Sequence, residues 1–328
     1  MALADQTEHS SSSRTAVLAT SVLVIFLLAM TITIANVSLP QIQGSLSATR
    51  DQVAWVVTSY LVANAVGLPA TGWLADRFGT RRLIVWGTIG FSLATLACAL
   101  APNLEILVLL RAMQGLLGAP IMPLSMALVM ASYPRSQHGV VTSIFGIGVT
   151  IGPVIAPWLG GILTEEYGWR SVFYFCLPFA TAASLAVIAV IPHDEAPASR
   201  RLDLRGFIFF SIAIACFQLM VDRGERNDWF DSAEIIIECV AGIICLYLFV
   251  VHSLTWRQPY LDLRILANRD LAVGLGLVAA FGMLSYSPIV LLPNLLQNLR
   301  GFPEEAIGSL LAIRGLGMTL GFIVLLWG

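Results

Sequence analysis

The chain has 328 residues, of which 57% are hydrophobic and only 12% are charged, and its formal net charge is −2. Soluble domains usually contain about 25% charged residues, so the composition argues against an ordinary soluble enzyme and indicates an integral membrane protein. All 18 basic residues are scattered arginines, which gives no reason to expect a nucleic-acid partner. Without Lys, a C-x-x-C pair or an H-E-x-x-H pattern, the sequence predicts no ATP site, no metal site and no cofactor.

The chain opens with a short polar stretch, residues 1–15, whose run of serines and mixed charges predicts a disordered cytoplasmic tail. Residues 16–39 form the first predicted span, because a helix needs roughly 20 apolar residues to cross a bilayer. This run is too long for the apolar core of a cleavable signal peptide. After a polar loop, apolar runs over 55–75 and 83–103 predict the second and third spans.

The turn between these two runs, residues 72–82, reads Gly-Trp-Leu-Ala-Asp-Arg-Phe-Gly-Thr-Arg-Arg. Gly72 and Gly79 are expected to let the two helices approach closely. Basic residues in short loops resist translocation, so the turn is expected in the cytoplasm because of Arg77, Arg81 and Arg82. The eleven positions resemble a loop signature of the major facilitator superfamily. The resemblance implies that Asp76 latches against the N-terminus of a helix in the C-terminal half.

Further apolar runs complete the predicted architecture. The fourth to sixth spans finish an N-terminal six-helix bundle over residues 16–191, and residues 192–270 form a linker region with two additional spans. Residues 271–328 hold the first two spans of an incomplete C-terminal bundle. The predicted fold is an all-α polytopic membrane protein with about 10 transmembrane helices, where the resemblance implies 14. Eleven arginines fall on the side of the N-terminus and five on the other, which predicts a cytoplasmic N-terminus.

Arg111 stands inside the fourth apolar run, where an ionised side chain costs roughly 2.5 to 3.5 kcal/mol near the bilayer centre. The side chain therefore needs a partner. The spacing of Arg111, Gln114, Gly115 and Gly118 resembles the fourth-span motif of the superfamily, which implies a role for this arginine in proton coupling. The alternative is an arginine that extends to the membrane interface, close in sequence to Glu105.

In the fifth run, glycines, which have no side chain, and prolines, which have no backbone N–H, recur at short intervals. This pattern predicts a kinked and closely packed helix. The pattern resembles the antiporter motif of drug-exporting members, although Ala156 replaces one of its glycines. Helix packing alone is the alternative explanation. The motif residues are Gly148, Gly152, Pro153, Pro157, Gly160 and Gly161.

The first run ends in a segment, residues 31–40, that resembles the one found in the fourteen-span drug:proton antiporters. Thr31 occupies the place of that family's aspartate. A threonine cannot titrate near neutral pH, so the usual N-terminal proton site is in doubt. The candidates for coupling are Arg111, Gln114, Thr31 and Asn36.

Four polar side chains on apolar runs are candidates for the substrate cavity, namely Asn64, Tyr60, Tyr286 and Arg314. For the first three, hydrogen bonding between helices is the alternative role. Arg314 could meet an anionic substrate or a carboxylate of the C-terminal half, or it could simply bind a neighbouring carbonyl.

Two later segments, residues 218–230 and 289–297, resemble the EmrB-like branch of the fourteen-span antiporters. The resemblance implies a secondary active transporter of the inner membrane, not an enzyme, that exports amphipathic drugs or toxic compounds by proton antiport with alternating access. A periplasmic adaptor protein and an outer-membrane channel are implied partners. The alternatives are export of another amphiphile, such as a fatty acid or siderophore, and a non-transporting truncated membrane protein or sensor.

Overall fold

The computed structural model describes residues 11–191, 203–257 and 259–300, with a few further positions between 310 and 321. Every regular element in these ranges is helical, which confirms the predicted all-α fold. The helices are α1 (Ser11–Val37), α2 (Leu39–Ser45), α3 (Arg50–Phe78), α4 (Thr80–Ala99), α5 (Leu104–Gly118), α6 (Ile121–Ser132), α7 (His138–Tyr167), α8 (Arg170–Val190), α9 (Leu204–Arg223), α10 (Ala233–Thr255) and α11 (Arg269–Arg300).

Eight helical segments in the described ranges are long and apolar enough to cross a membrane. They correspond to the first eight predicted spans, with most ends shifted by a few residues. The first helix begins at Ser11 rather than at residue 16. The fourth span consists of α5 and α6, which are interrupted at Ala119 and Pro120. The ninth predicted span falls within α11, and the tenth lies outside the described residues.

Helices α1 and α7 run parallel and approach through a glycine face of α7. A Cβ atom at Gly148 would lie 2.8 Å from the side chain of Val22, and one at Gly152 would lie 2.8 Å from the backbone nitrogen of Met30. Helices α3 and α5 form a second parallel pair that is tighter still. There, a Cβ atom at Gly115 would lie only 2.2 Å from the carbonyl oxygen of Tyr60.

Single glycines allow the sharp reversals between consecutive spans. Gly79 joins α3 to α4 with a φ of 90°, and Gly168 joins α7 to α8 with a φ of 85°. Residues with a Cβ atom rarely adopt such φ angles. The amide of Gly79 donates to the carbonyl of Ala75, so it also closes the last turn of α3.

Antiparallel helices α4 and α8 cap each other with arginines. Arg81, at the start of α4, donates from Nε to the Ile191 carbonyl at 2.8 Å and from Nη2 to the Ile188 carbonyl at 3.0 Å. Arg170, at the start of α8, donates from Nη2 to the Ala101 carbonyl just after α4 at 2.8 Å. A cation at a helix C-terminus satisfies carbonyls that have no partner within the helix and opposes the negative end of the helix dipole.

Asp203 caps the start of α9 and holds α10 and the segment after it. Its carboxylate accepts from the Gly206 amide at 3.1 Å, the Tyr260 amide at 3.1 Å and the His252 ring at 2.9 Å. Burial acts to raise the pKa of Asp203, but these hydrogen bonds outweigh it and lower the pKa below its ordinary value of 3.8.

The interior of α1–α8, the N-terminal bundle, is packed with large side chains, while its outer surface is also apolar. Phe91 and Phe173 are fully buried, whereas Leu93, Leu109 and Leu185 are more than 60% exposed. Apolar side chains on the outside are what a bilayer requires of its spanning helices.

Candidate functional site

Arg111 lies in the middle of α5 and is fully buried. Its Nε atom donates to the Val56 carbonyl of α3 at 3.0 Å. Its Nη1 atom donates to Oε1 of Gln114, one turn further along α5, at 2.5 Å. A charged side chain without water can be held in this way when carbonyl dipoles take over its solvation.

Two further groups complete the surroundings of the guanidinium. The ring of Tyr60 lies under it, with the Arg111 Cζ atom 4.5 Å from the ring centroid. Gln114 in turn donates from Nε2 to Oγ1 of Thr95 on α4 at 2.6 Å, and Thr95 donates to the Phe91 carbonyl at 2.8 Å. The network therefore links α3, α4 and α5 around one positive charge.

No carboxylate neutralises this charge within the described residues. None lies within 4 Å of Arg111, and Glu105 is exposed at the start of α5 without forming an ion pair with it. The full burial of Arg111 excludes the alternative of a side chain that extends to the interface. In the same described region, its Nη2 atom and the hydroxyl of Tyr60 are buried without a hydrogen-bond partner.

Thr31 is buried inside the bundle on α1, and its hydroxyl donates to the Leu27 carbonyl of its own helix at 2.7 Å. Cys176 on α8 is also buried and lies close to Thr31. Asn36, the remaining candidate on α1, is exposed.

The residues of the loop motif, 72–82, differ in their structural roles. Gly79 is required by its backbone angle, whereas no described atom lies within 4 Å of where a Cβ atom of Gly72 would stand. The close approach expected at Gly72 is therefore not seen in the described structure. Asp76, Arg77 and Arg82 are exposed, while Arg81 caps α8.

The motif of α7 divides into two faces. Gly148, Gly152 and Gly160 are buried against α1, and Ala156 is buried on the same face at the position where the resemblance calls for glycine. Pro157 is exposed and Pro153 is partly buried. A Cβ atom at Gly161 would meet no described atom within 4 Å apart from its own stretch of helix. The helix continues through both prolines.

The structure describes the side chains of two of the four cavity candidates, Asn64 and Tyr60. Asn64 donates from Nδ2 to the Gly115 carbonyl at 3.2 Å and so bonds α3 to α5. Tyr60 is 1% exposed and belongs to the surroundings of Arg111. The side chain of Tyr286 and the whole of Arg314 lie outside the described residues.

Sequence reasoning did not anticipate the groups that hold the arginine from other helices. These are the Val56 carbonyl, which accepts from Arg111, and Thr95, which accepts from Gln114. Thr95 was visible as a polar residue in an apolar run, but its partner on α5 was not. Within the described part of the chain, no group of His, Cys, Asp and Glu is arranged to hold a metal ion.

Comparison with known proteins adds the following. The family model described as Major Facilitator Superfamily matches residues 21–328. The chain is 36% identical to the Multidrug export protein EmrB of Escherichia coli (strain K12) over 82% of this chain and 53% of the relative. It is also 36% identical to the Fatty acid resistance protein FarB of Neisseria gonorrhoeae over 83% of this chain and 55% of the relative. It thus spans about half the length of these curated relatives.

Solved structures share the fold at low sequence identity. The proton:xylose symporter XylE, bound to 6-bromo-6-deoxy-D-glucose, aligns with a TM-score of 0.61 at 14% identity over 96% of this chain and 69% of that chain. The POT family transporter PepTSo aligns with a TM-score of 0.52 at 15% identity over 75% of this chain and 53% of that chain.

Proposed function

Because this chain belongs to the Major Facilitator Superfamily, we propose that it is a secondary active transporter that exports amphipathic drugs or other toxic compounds by proton antiport. The family match confirms the resemblance seen in the loop motif, and the chain is a multi-pass membrane protein. We place it in the inner membrane with a cytoplasmic N-terminus, on the distribution of its arginines.

The observation that carries the proposal is the identity of 36% with a protein named as a multidrug exporter over most of this chain. A Haemophilus influenzae relative with the same name is 34% identical over 81% of the chain. Transporters of this fold bind substrate between two bundles and expose the site alternately to each side of the membrane. A periplasmic adaptor protein and an outer-membrane channel are proposed partners.

In this proposal Arg111 is the fixed charge of the coupling machinery. It is fully buried, held by dipoles of α3 and α5, and has no carboxylate within 4 Å in the described structure. A proton-exchanging carboxylate would gain from the field of such a charge, which favours its ionised form. Thr31 cannot serve as that group, so the exchanging group lies elsewhere in the protein.

Export of fatty acids is the second candidate. The specific observation that favours it is the identity of 36% with a protein named for fatty acid resistance. An uncompensated positive charge in the bundle is also better suited to an anionic than to a cationic substrate.

A resistance assay in cells without their own efflux pumps tests both candidates. Cells that produce the full-length gene product are challenged with cationic, anionic and neutral amphiphiles, including long-chain fatty acids. Arg111→Ala should abolish resistance at unchanged membrane abundance, because the coupling charge is lost. Arg135→Ala, which removes an exposed loop arginine, should not. Resistance unaffected by Arg111→Ala would leave this arginine with a structural role only.

Everted vesicles test the coupling directly. Because the proposal places the exchanging group at a position other than Thr31, the unaltered protein should already release protons when drug is added, without Thr31→Asp. A small signal that rises in Thr31→Asp would instead show that the threonine has cost the protein its proton site, and would contradict proton antiport by the unaltered protein. In the resistance assay, an absence of protection against every amphiphile would contradict the transporter function itself.

A further inference from the structure

Helices α9 and α10 form a hairpin, and α9 packs against α3. The hydroxyl of Thr58 on α3 donates to Oδ2 of Asp222 near the end of α9. Thr58 is only 2% exposed, whereas the Asp222 side chain is 24% exposed, so this hydrogen bond is partly buried. The guanidinium of Arg223 stands over the ring of Trp55 on α3, with Cζ 5.1 Å from the ring centroid.

The same two residues also hold the hairpin together. Arg223 forms ion pairs from Nη1 with Glu234 at 2.6 Å and with Glu238 at 3.3 Å, both on α10. Asp222 forms an ion pair with Arg226 at 3.2 Å. Asp222 and Arg223 therefore connect the hairpin to itself and to α3 at one point.

The segment of α3 at this contact is also the segment that holds Arg111. Trp55 and Thr58 meet the hairpin, while the Val56 carbonyl and the Tyr60 ring meet the buried guanidinium. The two sets alternate within two turns of one helix. The hairpin thus supports α3 from the side opposite to the arginine.

We propose that Asp222 and Arg223 are positioning residues that dock the α9–α10 hairpin on the N-terminal bundle, so that the hairpin moves with that bundle during transport. Separation would leave a carboxylate and a guanidinium without their α3 partners at the edge of the hydrocarbon region, which is unfavourable. In the described structure, α11 packs mainly against the short turn at residues 263–267 rather than against the hairpin. The movement, but not the docking, rests on the proposed transport function.

Disulfide cross-linking in native membranes tests the docking. The full-length protein, with its natural cysteines replaced by alanine, carries Thr58→Cys and Asp222→Cys, and a protease site is inserted between residues 192 and 202. After oxidation, the two cleaved fragments should be linked covalently by the disulfide. The control pair Leu93→Cys and Asp222→Cys, with residue 93 exposed on α4, should release them. If the first pair abolishes folding, Trp55→Cys with Arg223→Cys gives the same test. A folded protein in which neither pair cross-links overturns the docking.

Export by the cross-linked protein tests the common movement. When the two introduced cysteines are reduced, the protein lacks the hydrogen bond from Thr58 to Asp222. The ratio of docked to undocked protein should then fall by about tenfold or more, as expected for a lost hydrogen bond to a charged group. Export should therefore fall in the reduced state and return on oxidation. Loss of export on oxidation, reversed by dithiothreitol, would overturn the proposal, because the hairpin would then have to leave α3 in every cycle. Cross-linking in a protein that exports nothing would refute only the transport function.

Discussion

Replacing Gly115 by alanine should separate α3 from α5 and disturb the buried arginine. The added Cβ atom would lie 2.2 Å from the Tyr60 carbonyl oxygen, whereas ordinary contacts of a Cβ atom begin at about 3.4 Å. The two helices must then move apart by about 1.2 Å. The neighbouring bond from Arg111 to the Val56 carbonyl, now 3.0 Å, would lengthen toward about 4.2 Å, which is too long for a hydrogen bond.

The size of the effect follows from opposing contributions. Overpacking costs about 1 to 3 kcal/mol, and loss of a buried hydrogen bond to a charged group costs about 1.5 to 3 kcal/mol. The better helix propensity of alanine returns about 1 kcal/mol. A net loss of about 3 kcal/mol should lower the unfolding temperature of a 328-residue chain by about 4 °C, on the scaling known for soluble domains.

Fluorescence-detected size exclusion after heating measures this change in the detergent-solubilised protein. Gly161→Ala is the matched control, because it is also a helical glycine and no described atom lies within 4 Å of its added Cβ. We expect the control to unfold at or slightly above the temperature of the unaltered protein. Equal unfolding temperatures for Gly115→Ala and Gly161→Ala would refute the contact between α3 and α5 as described.

The remaining predictions concern turns and caps, and each is measured by thermal unfolding. Gly79→Ala should cost about 1 to 2 kcal/mol because of its positive φ, whereas Gly72→Ala should have no such cost. Arg81→Ala should lower the unfolding temperature through loss of the α8 cap, and Arg82→Ala should leave it unchanged. Asp203→Asn should destabilise the protein at pH 7; because the folded pKa of Asp203 is lowered, this difference should vanish as the pH falls below 3.8.

The sequence predicted the spans well because their length is a local property. A run of apolar residues must match the bilayer wherever it occurs, so eight helices lie where the first eight runs indicated. The interruption between α5 and α6 was not predicted, although Pro120 stands at that point. Proline can be accommodated within a spanning helix, as Pro153 and Pro157 are in α7, so its presence alone does not decide where a helix breaks.

The partners of individual residues were much less predictable. In a soluble helix the polar face marks the outside, but a spanning helix is apolar toward both lipid and core, so its pattern does not reveal which side faces a neighbour. Arg81 therefore seemed to belong only to the loop motif, although it caps a helix more than 100 residues later. Arg111 could be identified as buried, but its contacts with Val56 and Tyr60 depend on how α3 and α5 pack.

The mutual arginine caps of α4 and α8 impose an order on assembly during synthesis. When α8 is made, Arg81 is already present and can donate to the last carbonyls of α8. Ala101, in contrast, must wait for an arginine that is made 69 residues later, an interval of roughly 3 to 14 s at ordinary translation rates. Until then the end of α4 depends on water or headgroups for its hydrogen bonds. The nascent chain therefore passes through a period in which this end of α4 has no arginine cap, and the period ends when α8 is made.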